Sequence, residues 1–437
     1  MVNQPQAPTE PPTGAALVRD HVQVDLSAPA TFDDGVPFDA FAVLRRHAPV
    51  AWHDETVDDV GGWEPSPGFW SVTSHASVTE VSRRPDVFSS WLGSTSIGTP
   101  DELNLAVTRQ MMLNMDPPDH SRLRRILQPM FTPRAVQRLV DSVRSNAREI
   151  VDDLVAGPDH IDLVTAASAE LPLRVLADLL GVPREDRHLM FEWSNAIVGM
   201  ADPEYGGDRE SVVGVVTDML LYGTELANDR KAMPRDDVVS LICNAETADG
   251  ERLTDGELSM FWLLLVIAGN ETTRNSISGS VVALLEHGLW DALRTEPGLR
   301  ATATDELLRY VSPVLQFRRT ATTDTILDGQ HIRAGDKVVV WYASANRDEA
   351  EFPAPDQLDL RRDPNRHVAF GTGPHFCLGS HLGRLQLSTF LNELTGRLPD
   401  LHLTGTVERM RSNFINGIRH LPVSLVGDQG NLAAPAR

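Results

Sequence analysis

The sequence predicts a mainly α-helical chain that carries small β-sheets and is built around one long central helix. Three observations point there. Helical periodicity dominates from Ser121 to about Glu286. Within that stretch, Thr254 to His287 is the longest helical candidate and contains no proline. The β-like segments are short and lie apart, one near residues 68–74 and others ending at Trp341.

In chain order, residues 1–25 are polar and proline-rich and read as a disordered tail. Pro37 to Arg46 has the pattern of a short amphipathic helix, and Gly68 to Ser74 (GFWSVTS) has the alternation and β-branched content of a strand. Pro133, Gly157-Pro158, Gly181-Val-Pro183, Pro203 to Gly207 and Pro234 cut the helical region into successive helices. Thr254 followed three residues later by Glu257 is a capping-box start. Met260 to Ala268 is apolar nearly all round, which places this helix in the protein centre. Asp328-Gly329 and Ala334-Gly335-Asp336 punctuate short β segments that end in Lys337 to Trp341, and Leu378 to Leu398 returns to helical periodicity. Residues 427–437 read as a second flexible tail, which leaves 26–426 as a single domain.

Composition narrows the function classes. With 41% hydrophobic and 23% charged residues the chain has an ordinary globular make-up and should bury a large core. Its 39 basic and 61 acidic side chains give a formal charge of -22, which argues against nucleic-acid partners and against anionic membrane surfaces. The only cysteines, Cys243 and Cys377, exclude a disulfide framework and suit a reducing cytosol, with a single bridge left open. The start MVNQPQAPTEPPTG lacks the pattern of a secretory signal, and the apolar run Met260–Ala268 is far shorter than the roughly 20 residues of a membrane span. A cytoplasmic protein without a membrane anchor is expected.

Chemistry concentrates around Cys377. The segment Phe370-Gly-Thr-Gly-Pro-His-Phe-Cys-Leu-Gly379 sets one cysteine among three glycines directly before a helix in which Leu378, Leu382, Leu385 and Leu394 recur at helical spacing. Glycines let the backbone bend so that amide groups point at sulfur, and the positive end of the following helix is expected to lower the thiolate pKa. A lone cysteine is otherwise a small, inert core residue.

Here the surrounding pattern decides: FGTGPHFCLGSHLGR resembles the haem-binding signature of the cytochrome P450 family. The resemblance implies the cytochrome P450 fold with its long helix over the haem, and it covers roughly Pro37 to Val426. It makes Cys377 the axial thiolate to the iron of haem b (iron protoporphyrin IX), packs Phe370 beside it, brings His375 to a haem propionate and includes Gly379. Asp305-Glu-Leu-Leu-Arg309 matches the family's Glu-x-x-Arg helix, in which Glu306 and Arg309 pair with an arginine of the following meander; Arg362 is the candidate, with Arg361 adjacent. Met115-Asp-Pro-Pro-Asp-His-Ser-Arg-Leu-Arg124 resembles the segment whose histidine and arginine, here His120 and Arg124, face the haem. Phe317-Arg-Arg-Thr-Ala321 resembles the segment that supplies a further propionate arginine, Arg319 ahead of Arg318. Guanidinium matches carboxylate geometry, which suits arginine to this role.

In Ala268-Gly-Asn-Glu-Thr-Thr273 a small pair precedes an acid and two hydroxyls inside the buried helix, where glycine and threonine have poor propensity and a carboxylate needs partners. A local kink, or a hydroxyl bonded to the preceding turn, is the plain alternative. The motif resembles the family's oxygen-binding groove, in which small residues make room for dioxygen and an acid–alcohol pair, here Glu271 and Thr272, delivers protons to it.

Position relative to these motifs places Leu264, Ile267 and Ala268 on the substrate side of the central helix. Val314, Leu315 and Phe317 follow the Glu-x-x-Arg helix, Trp91, Leu92 and Ile97 lie in the loop before His120, and Ile415 and Asn416 lie in a late turn. The pocket is therefore expected to be largely apolar, with Gln316 and Asn416 as its few polar groups. No flavin or iron–sulfur pattern occurs, so NAD(P)H-derived electrons need a ferredoxin and ferredoxin reductase, docked at a basic patch of Arg122, Arg125 and Arg384.

The expected activity is hydroxylation or epoxidation, by a monomer, of a lipophilic molecule such as a steroid, terpenoid or fatty acyl chain. Phe69-Trp-Ser-Val-Thr73, Val87-Phe-Ser-Ser90, Met112-Leu-Asn-Met-Asp116 and Gln316-Phe-Arg-Arg-Thr-Ala321 resemble the soluble bacterial branch that oxidises such compounds. Oxidative coupling or ring formation on a polyketide or cyclic peptide is a second reading within the family. A haem-based sensor is a non-enzymatic one, which the intact Glu271-Thr272 pair disfavours.

Overall fold

The chain is about 53% helical in a computed structural model that describes residues 23–55, 63–64, 66–207, 209–246, 250 and 252–427. The two predicted tails lie outside the described residues except for 23–25 and 427. Val24 already packs against the cluster of Leu26, Phe32 and Phe41, so the folded part begins before residue 26.

The N-terminal part forms helix α1 (Phe38–His47), strands β1 (Val50–Asp54) and β2 (Gly68–Val72), helix α2 (His75–Arg83) and strand β3 (Phe88–Ser89). The strand predicted to reach Ser74 stops at Val72, because Ser74 instead caps α2 through a bond from the Ser77 amide. Helices α3 (Asp119–Leu127) and α4 (Val140–Ala156) come next, then strand β4 (His160–Asp162), then helices α5 (Glu170–Leu180), α6 (Arg187–Val198) and α7 (Arg209–Ala232). Strand β4 interrupts a region read as helical. Three residues carry too little periodicity to announce a strand, and this one exists because it pairs with a C-terminal strand, Val423 opposite Ile161.

Helix α8 (Asp255–Glu286) is the predicted central helix. Its capping box is complete: the Thr254 amide donates to the Glu257 carboxylate at 2.9 Å, and the Glu257 amide donates to the Thr254 hydroxyl at 3.2 Å. At 32 residues it is about 48 Å long, from a rise of roughly 1.5 Å per residue. Helices α5, α6 and α7 pack on it, as do α9 (Arg300–Val311) and, later in the chain, α10 (Ser380–Arg397). No helix among the described residues is long and apolar enough to cross a membrane.

After α9, strands β5 (Gln316–Ala321) and β6 (Lys337–Trp341) return to the N-terminal sheet and give the order β1-β2-β6-β5-β3. Strand β6 runs parallel to β2 and antiparallel to β5. Between them Asp328 and Gly329, predicted to punctuate short β segments, both take positive φ, 49° and 77°, and close a two-residue hairpin. The chain ends in strands β7 (His402–Leu403), β8 (Glu408–Arg409), β9 (Ile418–His420) and β10 (Pro422–Ser424), with β8 paired to β9 and β10 set between β7 and β4. Both cysteines are free, which settles the open question of a bridge.

Candidate active site

A buried charge network anchors the segment that leads to Cys377. Glu306 receives both Nε and Nη2 of Arg309 at 2.8 Å. It also receives Arg362 Nε at 3.0 Å, Asn365 Nδ2 at 3.0 Å and the Asp359 amide at 2.9 Å. The two guanidiniums in turn donate to the Asn346, Pro353 and Pro355 carbonyls at 2.7–2.8 Å. Arg362 is thus the arginine that joins the pair, whereas Arg361 pairs at the surface with Glu296. Beside it Asp305, unremarked in the sequence, accepts from Arg384 Nε at 2.7 Å and lies 3.1 Å from His367 Nε2. Burial alone would raise the Asp305 carboxyl, but these two partners carry it down to about 2.

The cysteine loop is a tight turn held at both ends. Gly371 and Gly373 take φ of 67° and 76°, a region that favours glycine. A Cβ on Gly373 would meet the Ser82 carbonyl oxygen at 2.2 Å, so the loop lies directly on the end of α2. The Cys377 amide donates to the Phe370 carbonyl at 2.9 Å, and Arg124 Nη2 donates to the Phe376 carbonyl at 2.6 Å. Arg384 stacks over the Phe370 ring at 4.5 Å. Gly379 is the N-cap of α10, so the helix starts two residues later than predicted, because Leu378 and Gly379 finish the turn.

The expectation of a thiolate favoured by the protein alone is corrected here. Burial pushes the Cys377 thiol up from its ordinary value, and the Gly379 amide with the Arg124 and Arg384 guanidiniums pulls it only part of the way back. A bound metal cation is what deprotonates such a sulfur.

Four basic side chains gather near this loop from three elements. The rings of His120 (α3) and His375 lie 4.2 Å apart, and both sense Arg124 (α3) and Arg319 (β5). Burial, then the neighbouring positive charges, lowers His120 to about 4 and His375 well below its ordinary value. His120 Nδ1 is buried without a hydrogen-bond partner among the described residues. Such a cluster is incomplete by itself and fits a dianion, which is the charge of the two haem propionates. Arg318 points elsewhere and donates to the Gly98 carbonyl at 3.0 Å. Among the described residues no group of three or more His, Cys, Asp or Glu could hold a metal. Cys377 as a lone ligand suits an iron already held by a macrocycle.

On α8, Ala268 is exposed and Thr272 half-buried, although Val266, Asn270 and Glu271 beside them are at most 1% exposed. One face of the buried helix therefore meets open space. The Thr272 hydroxyl donates to the Ala268 carbonyl at 2.8 Å, the bond to the preceding turn weighed above. A Cβ on Gly269 would meet Leu176 at 3.0 Å, so its smallness also serves the close approach of α5. Glu271 lies on another side of α8, 3.0 Å from Arg274 Nη1 and 3.4 Å from both Asn270 Nδ2 and Asn275 Nδ2.

Comparison with known proteins decides what this arrangement belongs to. A cytochrome P450 family model matches residues 299–396. The steroid C26-monooxygenase of Mycobacterium tuberculosis is 39% identical over 411 residues, 92% of this chain and 93% of that protein. The methyl-branched lipid omega-hydroxylase of the same organism is 41% identical over 401 residues, 90% and 92% of the two chains. The solved structure of a Mycobacterium marinum cytochrome P450 in complex with pseudoionone is 40% identical and superposes with a TM-score of 0.86, over 92% of this chain and 99% of that one. The chain belongs to the cytochrome P450 family.

In this cytochrome P450 the predicted pocket residues divide into two sets. Leu264, Ile267, Val314 and Phe317 are half-buried, and Trp91 and Leu92 are exposed. Leu315, Ile97 and Ile415 are buried, at 0%, 6% and 2% exposure; Leu315 and Ile97 lie in the core cluster with Phe32 and Trp341, and Leu315 and Ile415 line a small cleft with Phe32, Arg409 and Asn416. Phe414, which sequence reasoning missed, sits 5.4 Å edge-on from Phe317.

The expected polar groups are also engaged or hidden. Asn416 donates to the Val311 carbonyl at 2.6 Å and accepts from Arg409, and Gln316 is 2% exposed. The proposed basic patch is weaker than expected, because Arg122 pairs with Glu257 and Arg384 with Asp305. Arg125 remains exposed.

Proposed function

We propose that this cytochrome P450, acting in the cytoplasm as one catalytic domain that spans residues 26–426 together with the Val24 packed against it, hydroxylates or epoxidises a lipophilic small molecule such as a steroid, a terpenoid or a fatty acyl chain. For hydroxylation, one C–H bond, O2, two electrons and two protons give an alcohol and water. The electrons derive from NAD(P)H through a ferredoxin reductase and a ferredoxin, for which Arg125 and the partly exposed Arg122 offer a docking face.

Haem held by Cys377 would supply the iron at which O2 is activated. His120, Arg124, Arg319 and His375 would hold its propionates. Thr272 keeps a hydroxyl proton at Oγ1 on the open face of α8, and Glu271 passes protons toward it from its carboxylate oxygens.

The observation that carries the substrate class is the half-open face of α8, where the apolar Leu264, Ile267 and Ala268 accompany Thr272. Burial against such a surface is worth roughly 25 cal/mol per Å² of apolar area, so it selects apolar molecules. The names of the steroid and methyl-branched lipid relatives support the same class.

The test is a titration of steroids, terpenes, fatty acids and cyclic dipeptides, read as the low-to-high spin shift of the iron. Apolar lipids are expected to give the shift at micromolar concentration. A shift given only by peptide-like polar compounds overturns the substrate class and favours the coupling or ring-forming reading.

A further inference from the structure

Arg274 is an arginine at 0% exposure in the middle of α8, a costly place for a cation unless it is paired. Its Nη1 is shared: it donates to Glu271 Oε1 at 3.0 Å and to Asn195 Oδ1 of α6 at 2.6 Å. Glu271 is its one ion-pair partner among the described residues. Nε and Nη2 are buried with no hydrogen-bond partner among those residues, so the guanidinium holds the carboxylate by a single contact and keeps two donors in reserve. Its Cζ lies over the ring of Phe191 of α6, 5.6 Å from the centroid, and over that of Tyr205, in the turn after α6, at 5.8 Å.

That turn is fastened in its own right. Asp202 is buried and accepts from the Arg411 amide at 2.9 Å and from Arg419 Nη1 of β9 at 3.1 Å. Around Arg274, therefore, α6 and its turn form a wall tied to the C-terminal strands, and the guanidinium spans from this wall to the acid of α8.

We infer that Arg274 is a positioning residue for Glu271, and that its anchor on Asn195 makes the placement of this acid depend on the seating of α6. With α6 seated, Asn195 occupies Nη1 and restrains the guanidinium, so Arg274 gives Glu271 a single bond beside the longer contacts from Asn270 and Asn275. With α6 displaced, Nε and Nη2 are released to take the carboxylate in a two-bond fork, which locks it. Seating of α6 and proton delivery are thereby joined. The inference rests on the reading of Glu271 as the proton relay.

The experiment uses the holoenzyme and its Glu271→Gln, Arg274→Gln, Arg274→Lys and Asn195→Ala variants. Product and peroxide per NAD(P)H are measured, together with amide hydrogen exchange over residues 187–198, which does not depend on turnover. Arg274→Gln and Asn195→Ala are expected to lower product, raise peroxide and speed exchange in α6, with Arg274→Lys recovering part of the coupling. Glu271→Gln is expected to uncouple without changing exchange in α6, and Glu271→Gln with Arg274→Gln should uncouple no more than Glu271→Gln alone, since residues acting as one unit do not add.

Asn195→Ala leaves the ion pair intact and carries the test if Arg274→Gln does not fold. If Glu271→Gln uncouples while Arg274→Lys and Asn195→Ala remain as coupled as the parent, or if the losses multiply in the double variant, Arg274 does not act through Glu271. If Glu271→Gln itself stays coupled, the relay reading fails first and takes this inference with it.

Discussion

Glu306→Ala is expected to destabilise the protein by roughly 3–5 kcal/mol, the range for breaking a buried ion pair by removal of one partner. The size follows from what is left behind. Glu306 accepts five hydrogen bonds, four of them from the Arg309, Arg362 and Asn365 side chains, and is 0% exposed. Its loss strands two buried guanidiniums that also hold the carbonyls of Pro353, Ala354, Pro355 and Gln357. Those residues lead into the cysteine loop, so haem retention should fall together with stability. Urea unfolding of the purified variant, with haem content measured alongside, checks this. A loss below about 1 kcal/mol, the scale of exposed pairs, would show that the network does not hold the segment.

Thr272→Ala is expected to leave the substrate-induced spin shift in place while product per NAD(P)H falls and peroxide rises. A positioned proton donor contributes at least about 10²-fold, or about 2.7 kcal/mol in the barrier, so a loss near that size is expected in coupled turnover. The substitution deletes only Oγ1 and a methyl group, whose hydroxyl donates to the Ala268 carbonyl at rest. Thr272→Ser, which restores the hydroxyl, should regain much of the coupling. Unchanged coupling in Thr272→Ala would remove this hydroxyl from the mechanism.

The parts of this protein that are local in sequence were the legible ones. Thr254 and Glu257 announce the start of the central helix because a capping box needs only four consecutive residues. The Asp328-Gly329 turn is equally local, since two adjacent residues must both reach positive φ. The cysteine loop stood out because its glycines and helix start are contiguous.

What escaped depends on partners far along the chain. Strand β4 exists through β10, more than two hundred residues away. Asp305 gains its role from His367 and Arg384, and Arg274 from Asn195 on another helix. The depth of the pocket candidates was hidden for a related reason: Leu315 and Ile97 pack into the cluster of Phe32 and Trp341, which comes together only in the fold, whereas Phe317 stays half-buried. The helix contact of Gly269 was not legible because smallness serves helix packing as readily as it serves a ligand.

The central claim is that Cys377 holds haem iron as a thiolate, and the absorption spectrum of the reduced carbon monoxide complex tests it most directly. The parent protein is expected to show the red-shifted Soret band of a haem thiolate, and Cys377→Ala is expected to lose that band, whether or not it still retains haem. A red-shifted band that persists in Cys377→Ala would contradict the assignment of the ligand and the mechanism built on it.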